Sequence, residues 1–146
     1  MKRKIYIAYG SNLNLPQMAV RCPTAKVLGV SELTDYQLLF RGARTGAVAT
    51  VTPRTGASVP VLAWEIQAAD ETALDRYEGY PTLYRKETVT IKLDGKAVSA
   101  MVYIMNEGWP LGQPNCYYYS TILEGYKSAG FDVNVLRQAT EDSLET

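Results

Sequence analysis

The stretch Lys4–Met18, KIYIAYGSNLNLPQM, decides how the chain is read. Ile5 to Tyr9 is a β-strand pattern, and Gly10-Ser11-Asn12 ends it abruptly. Glycine permits a tight turn and close approach of a ligand. Successive N–H groups in such a turn can converge on an anion, with Ser11 and Asn12 as further donors. The same residues also read as a plain strand-ending turn in which Ser and Asn satisfy their own backbone. Gly10 to Asn12 is neither a dinucleotide fingerprint nor a phosphate-binding Walker loop.

Outward from this stretch, the first half of the chain reads as sheet. A short helical turn around Leu15 to Val20 precedes strands at Ala25 to Val30 and Tyr36 to Phe40. Two more, Ala47 to Thr52 and Val59 to Ile66, are separated by the turn-rich PRTGAS of Pro53 to Ser58. A helix fits Asp70 to Glu78, with Asp70 as its cap, Leu74 and Tyr77 on one face, and Gly79 in the left-handed position after its end. Asp94-Gly95 marks a hairpin between strands Arg85 to Lys92 and Lys96 to Met105. After a loop, Asn115 caps a helix with Tyr119, Ile122, Leu123 and Tyr126 on one face, ended by Gly130. Asp132 caps a last short helix. Strands, one embedded helix, a hairpin and then helices predict an α+β fold in a single domain, 1–146.

Composition removes several functions. The 146 residues are 47% hydrophobic and 21% charged, which suits a globular domain with a substantial core. Fifteen basic residues balance fifteen acidic ones, so no global field favours nucleic acid or an anionic membrane. Neutrality carries no information on oligomeric state. The apolar run after Lys4 stops at Tyr9, too short for a signal-peptide core or a membrane span. Cys22 and Cys116 lie far apart without metal-type spacing, read as packing residues, and fit a reduced, cytoplasmic protein. There is no histidine, so the usual general base and the commonest transition-metal ligand are missing. An enzyme built from this chain must move protons with Glu, Asp, Tyr or Lys.

Two later stretches can carry such chemistry. In LDRYEGYPTLYRKE, Leu74 to Glu87, Glu78 sits beside Tyr77 and Tyr80, and loss of solvation there would raise its pKa toward a range useful for proton transfer. A carboxylate at a helix C-terminus also opposes the helix dipole, a local conflict of the kind that marks functional positions. The alternative is a solvated Glu with tyrosines packing around it. In GQPNCYYYSTILEGYKSAGF, Tyr118 is offset from the buried face and could aim its hydroxyl across a cleft, or could simply pack.

The three stretches, in this order, resemble the gamma-glutamylcyclotransferase-like, or AIG2-like, family. YGSNL (Tyr9 to Leu13) resembles its substrate loop, Glu78 of YEGYP its catalytic glutamate, and PNCYYYSTILEGYKSAGF its closing helix motif, with Asn115 where members often have Ser. The resemblance implies a small mixed β-barrel with flanking helices. It also implies a γ-glutamyl substrate bound by Tyr9, Gly10, Ser11, Asn12 and Leu13, Glu78 as acid and base, and Tyr84 and Tyr118 lining the pocket. No cofactor or metal is implied. In the implied reaction the substrate's α-amine attacks its own γ-amide, closing 5-oxoproline and expelling an amine or amino acid. Loops 41–45 and 107–113 are expected near the leaving group. A non-catalytic member that binds a small metabolite, or an interaction protein in which all three stretches are structural, are the competing readings.

Overall fold

The strand expected from Ile5 is β1, Lys4–Ala8, in a computed structural model that describes residues 4–144. Ile5 to Ala8 are all buried, the mark of a strand covered on both faces. β1 is the middle of a five-stranded sheet ordered β2-β3-β1-β5-β4. It runs antiparallel to β3, Val48–Ile66, and parallel to β5, Lys96–Met105, so the sheet is mixed. β2, Lys26–Arg41, and β4, Tyr84–Leu93, form its edges.

Two departures from the expected strands have one cause. β2 and β3 are each continuous where the sequence suggested two pieces. Thr34 pairs with Ser58 and Tyr36 with Pro53, so Arg54 to Ala57 bulge opposite the single residue Asp35. Asp35 (φ 64°) and Gly56 (φ 87°) take the left-handed conformation, and the Gly56 N–H donates to Asp35 Oδ1 at 3.0 Å. PRTGAS is therefore a bulge that bends two paired strands together, not a loop that ends them. The bent sheet curls until Ser31 Oγ on β2 donates to the Lys92 carbonyl on β4 at 2.5 Å. No ladder joins β2 to β4 among the described residues, so the expected barrel is a curled, open sheet.

The helices follow their caps. Asn14 caps α1, Leu15–Arg21, through its Oδ1, which accepts the Gln17 N–H, while its Nδ2 donates to the Thr121 carbonyl on the third helix. α2 spans Ala68–Glu78. Its cap is Gln67, and Asp70 lies inside the first turn, where Oδ2 accepts the Gln67 N–H, one half of a capping box. Asp70 is thus three positions further in than expected. Gly79 (φ 66°) ends α2 as predicted. Leu74 is buried, but Tyr77 leaves the core and is 43% exposed. Asp94 and Gly95 both take positive φ in the predicted hairpin turn. Asn115 caps α3, Cys116–Ala129, and Asp132 caps α4, Val133–Asp142.

Three details locate the functional face. The Ser11–Leu13 segment is one 3-10 turn packed on α3. A Cβ on Gly125 would lie 2.6 Å from Leu13 Cβ, so glycine alone lets the helix and turn meet. Loops 41–45 and 107–113 join each other through bridges Arg41–Leu111 and Thr45–Gln113. Cys22 is buried, whereas Cys116 is exposed at the start of α3 and is no packing residue.

Candidate active site

The turn after β1, the end of α2, the start of β4 and the first turn of α3 surround a cavity of about 270 Å³. Tyr9, Gly10, Ser11, Asn12, Glu78, Tyr84 and Tyr118 all line it, joined by Tyr6, Tyr77 and Tyr103. Val48, Ala49 and Leu83 supply apolar wall. Seven of the eight residues singled out in the sequence converge here. Leu13 does not line the cavity; it is buried against Gly125 and anchors the turn from behind. Neither loop 41–45 nor loop 107–113 contributes to the wall.

The Gly10–Asn12 turn is rigidly held. Gly10 has negative φ, so its role is space: a Cβ there would lie 3.2 Å from Ala49 Cβ and 3.6 Å from the Tyr118 hydroxyl. The Leu13 and Asn14 N–H groups bond back to the carbonyls of Gly10 and Ser11. The N–H groups of Ser11 and Asn12, first in the 3-10 turn, have no acceptor within it. Ser11 Oγ and the Tyr77 hydroxyl are 2.7 Å apart, linking the turn to α2. Asn12 Nδ2 donates to the Tyr6 hydroxyl at 3.0 Å, and Asn12 Oδ1 accepts from Arg21.

Three phenols brace the opposite wall. Tyr9 donates to the Tyr103 carbonyl at 2.6 Å and Tyr84 to the Ala49 carbonyl at 2.5 Å. The Tyr118 oxygen accepts the Ala49 N–H at 2.9 Å, which leaves its own proton available to a ligand. Burial raises the pKa of Tyr6, Tyr9, Tyr84 and Tyr118, and the charge of Glu78 adds to each shift. These phenols are neutral donors across the physiological range.

Glu78 is the carboxylate of this cavity. Its side chain is enclosed by the tyrosines, and burial pushes its pKa from 4.5 up to about 7, against the opposing pull of Arg21. A carboxyl that titrates near neutrality can take a proton and return it. Arg21 and Tyr6 went unnoticed in the sequence, and Tyr77 was read only as a neighbour of Glu78 and not as part of the site. One signal was present for Arg21: it follows Met18, the buried residue of α1, by three positions and so shares its inward face.

Comparison with known proteins identifies the family. The model of a family described as "Gamma-glutamyl cyclotransferase, AIG2-like" matches residues 6–125. The chain belongs to this family. Among curated gamma-glutamylcyclotransferases, the Bos taurus protein is 28% identical over 135 residues, covering 86% of this chain and 71% of its own. The Homo sapiens protein is 27% identical over the same shares. A solved gamma-glutamyl cyclotransferase superposes with a TM-score of 0.84 at 24% identity, covering 94% of this chain and 86% of that one, a likeness of fold. Family membership fits an enzyme acting on a small γ-glutamyl molecule. No helix among the described residues is long and apolar enough to cross a membrane. Nor do three or more His, Cys, Asp or Glu side chains gather as metal ligands among them.

Proposed function

We propose that the protein is a γ-glutamyl cyclotransferase that releases 5-oxoproline from a γ-glutamyl amine or γ-glutamyl amino acid, with Glu78 as the single proton carrier. The observation that supports this most strongly is a carboxyl with a pKa near 7 in a phenol-lined cavity, shared with a turn whose first two N–H groups have no acceptor within the turn itself. The substrate's α-carboxylate would sit on the N–H groups of Ser11 and Asn12. Curled between the turn and Glu78, the γ-glutamyl chain brings its α-nitrogen against its own γ-carbonyl, where intramolecular proximity replaces a second reactant.

Glu78 as carboxylate takes a proton from the α-ammonium. The freed amine attacks the γ-carbonyl, and its lone pair becomes the new C–N bond of the five-membered lactam. The carbonyl electrons move to oxygen, where neutral phenol donors such as Tyr118 stabilise the charge. The intermediate collapses, the γ-C–N bond breaks, and protonated Glu78 gives its proton to the departing nitrogen. The regenerated carboxylate then takes the second proton from the ring nitrogen, leaving the neutral lactam, and passes it to the released amine, which departs as an ammonium. Glu78 ends as it began, so one carboxyl serves both half-reactions without histidine.

Incubating the protein with γ-glutamyl alkylamines, γ-glutamyl dipeptides and glutathione, and assaying 5-oxoproline, tests the reading. Release from at least one substrate, lost in Glu78→Gln, is expected. Binding without turnover would instead favour a metabolite-binding member of the family.

A further inference from the structure

Arg21 lies outside the cavity wall, yet the Gly10–Asn12 turn and the end of α2 are both tied to it. It is the last residue of α1. Its guanidinium donates to Asn12 Oδ1 in the turn, and its other branch reaches Gln17 Oε1 at 3.5 Å. Its Cζ lies over the Tyr77 ring, 3.5 Å from the centroid, a cation–π contact. Asn12 passes the constraint on to Tyr6, and Tyr77 passes it to Ser11. The turn and the end of α2, from elements more than fifty residues apart in sequence, are thus held on one planar cation.

We propose that Arg21 is the positioning residue of this site: by bonding Asn12 and stacking on Tyr77 it fixes the Gly10–Asn12 turn against the end of α2 and keeps a permanent positive charge in the field of Glu78. The inference rests on the reading of Glu78 given above. Arg suits this role and Lys does not, because only a planar fork can donate in its plane while a ring covers its face.

The electrostatic part has a definite sign. The titratable groups of the cavity around Glu78 are Tyr6 and Tyr9 from β1 and its turn, Tyr84 from β4, Tyr103 from β5, Tyr118 from α3, its neighbour Tyr77, and, behind the wall, Arg21 from α1. Tyr6, Tyr9, Tyr84 and Tyr118 are held neutral by burial. Arg21 is the charge that lowers the Glu78 pKa against burial. Without it the carboxyl titrates higher, and less of it is ionised at pH 7 to accept the ammonium proton.

The test is the titration of Glu78 by carboxyl-carbon NMR in the unliganded protein, beside the pH profile of kcat/KM, for wild type, Arg21→Met and Arg21→Lys. Arg21→Met retains a long side chain that can lie on an aromatic ring. In it the Glu78 midpoint and the acid limb are expected to move together to higher pH by about one unit, the lower end of the shift an opposite charge produces. In Arg21→Lys the midpoint stays within a few tenths of wild type while kcat falls roughly tenfold, since charge persists and the stacked fork is lost. A merely structural residue would lower activity without moving the midpoint. An unmoved Glu78 midpoint in folded Arg21→Met overturns the inference, as does full turnover by Arg21→Lys. If Arg21→Met does not fold, the Arg21→Lys result decides. Should wild type release no 5-oxoproline from any substrate, the functional reading fails, while the NMR titration still judges Arg21 separately.

Discussion

The two ends of α2 carry glutamates two turns apart with opposite fates. Burial alone would raise the pKa of Glu71, but hydrogen bonds from Lys4 and Lys86 outweigh it and the net shift is downward. Glu71 Oε1 lies 2.8 Å from Lys4 Nζ and Oε2 2.7 Å from Lys86 Nζ, with Asp75 sharing the second lysine. At the other end Glu78 has no such contact, only the field of Arg21, and burial carries it up to about 7. Two near neighbours on one helix therefore differ in protonation because one meets ammonium groups at hydrogen-bond distance and the other meets phenols. The structural end stays charged. The cavity end can cycle a proton.

The strongest way to break this comparison is Glu78→Gln, which is nearly isosteric and cannot cycle a proton. Turnover is expected to fall by about a thousandfold or more, within the range of general acid–base contributions, measured as 5-oxoproline release. The same variant has a stability signature. Because the folded-state pKa is raised, the folded protein binds a proton that the unfolded chain releases between about 4.5 and 7, so ionisation costs stability that grows as pH rises through that window and is complete above it. Glu78→Gln is therefore expected to be more stable than wild type at pH 8, by on the order of 1–3 kcal/mol, with no gain at pH 4. Urea midpoints at the two pH values check it. In wild type, kcat/KM is expected to rise about tenfold per unit below pH 7 and level off above, as the carboxylate form accumulates.

Next in size is Gly125→Ala, whose Cβ would enter the backbone of Leu13. Overpacking there should cost roughly 1–3 kcal/mol, read as a lower Tm, and should loosen the turn. Tyr118→Phe removes the acceptor of the Ala49 N–H and a neutral donor of the cavity. A loss of about tenfold in kcat/KM is expected, with KM and kcat both affected. The smallest effect belongs to the other end of the helix. Lys86→Met should let the Glu71 pKa rise toward the usual carboxylate range by NMR, yet change turnover less than about twofold. A large loss of activity in Lys86→Met would show that the two ends are not independent.

What the sequence revealed of this contrast was uneven. Caps and turn residues act over a few positions, so Gly79, Asp94-Gly95, Asn115 and Asp132 were readable directly. Glu78 was readable too, because YEGYP packs a carboxylate, a helix end and two aromatics into five residues. PRTGAS was misread because its meaning depends on Asp35, a bulge partner far back in the chain. Leu13 was assigned to the substrate through the resemblance of YGSNL to the family's substrate loop, while its side chain packs on Gly125, over a hundred residues away. Arg21 escaped for the same reason: a lone arginine at a helix end looks solvated until Tyr77 is brought over its face.

The pair of phenols on Ala49 has a further consequence. In the first half of β3 one side pairs with β2, while β1 reaches only the far half, from Leu62 to Ile66. Beside the cavity the sheet therefore has an interior gap, and a bare strand edge in such a gap is a template for another chain. Tyr84 takes the carbonyl of Ala49 and Tyr118 its N–H, so the backbone that an invading strand would use is already occupied. The cavity can stay open to small molecules and still be closed to peptides seeking to add a strand.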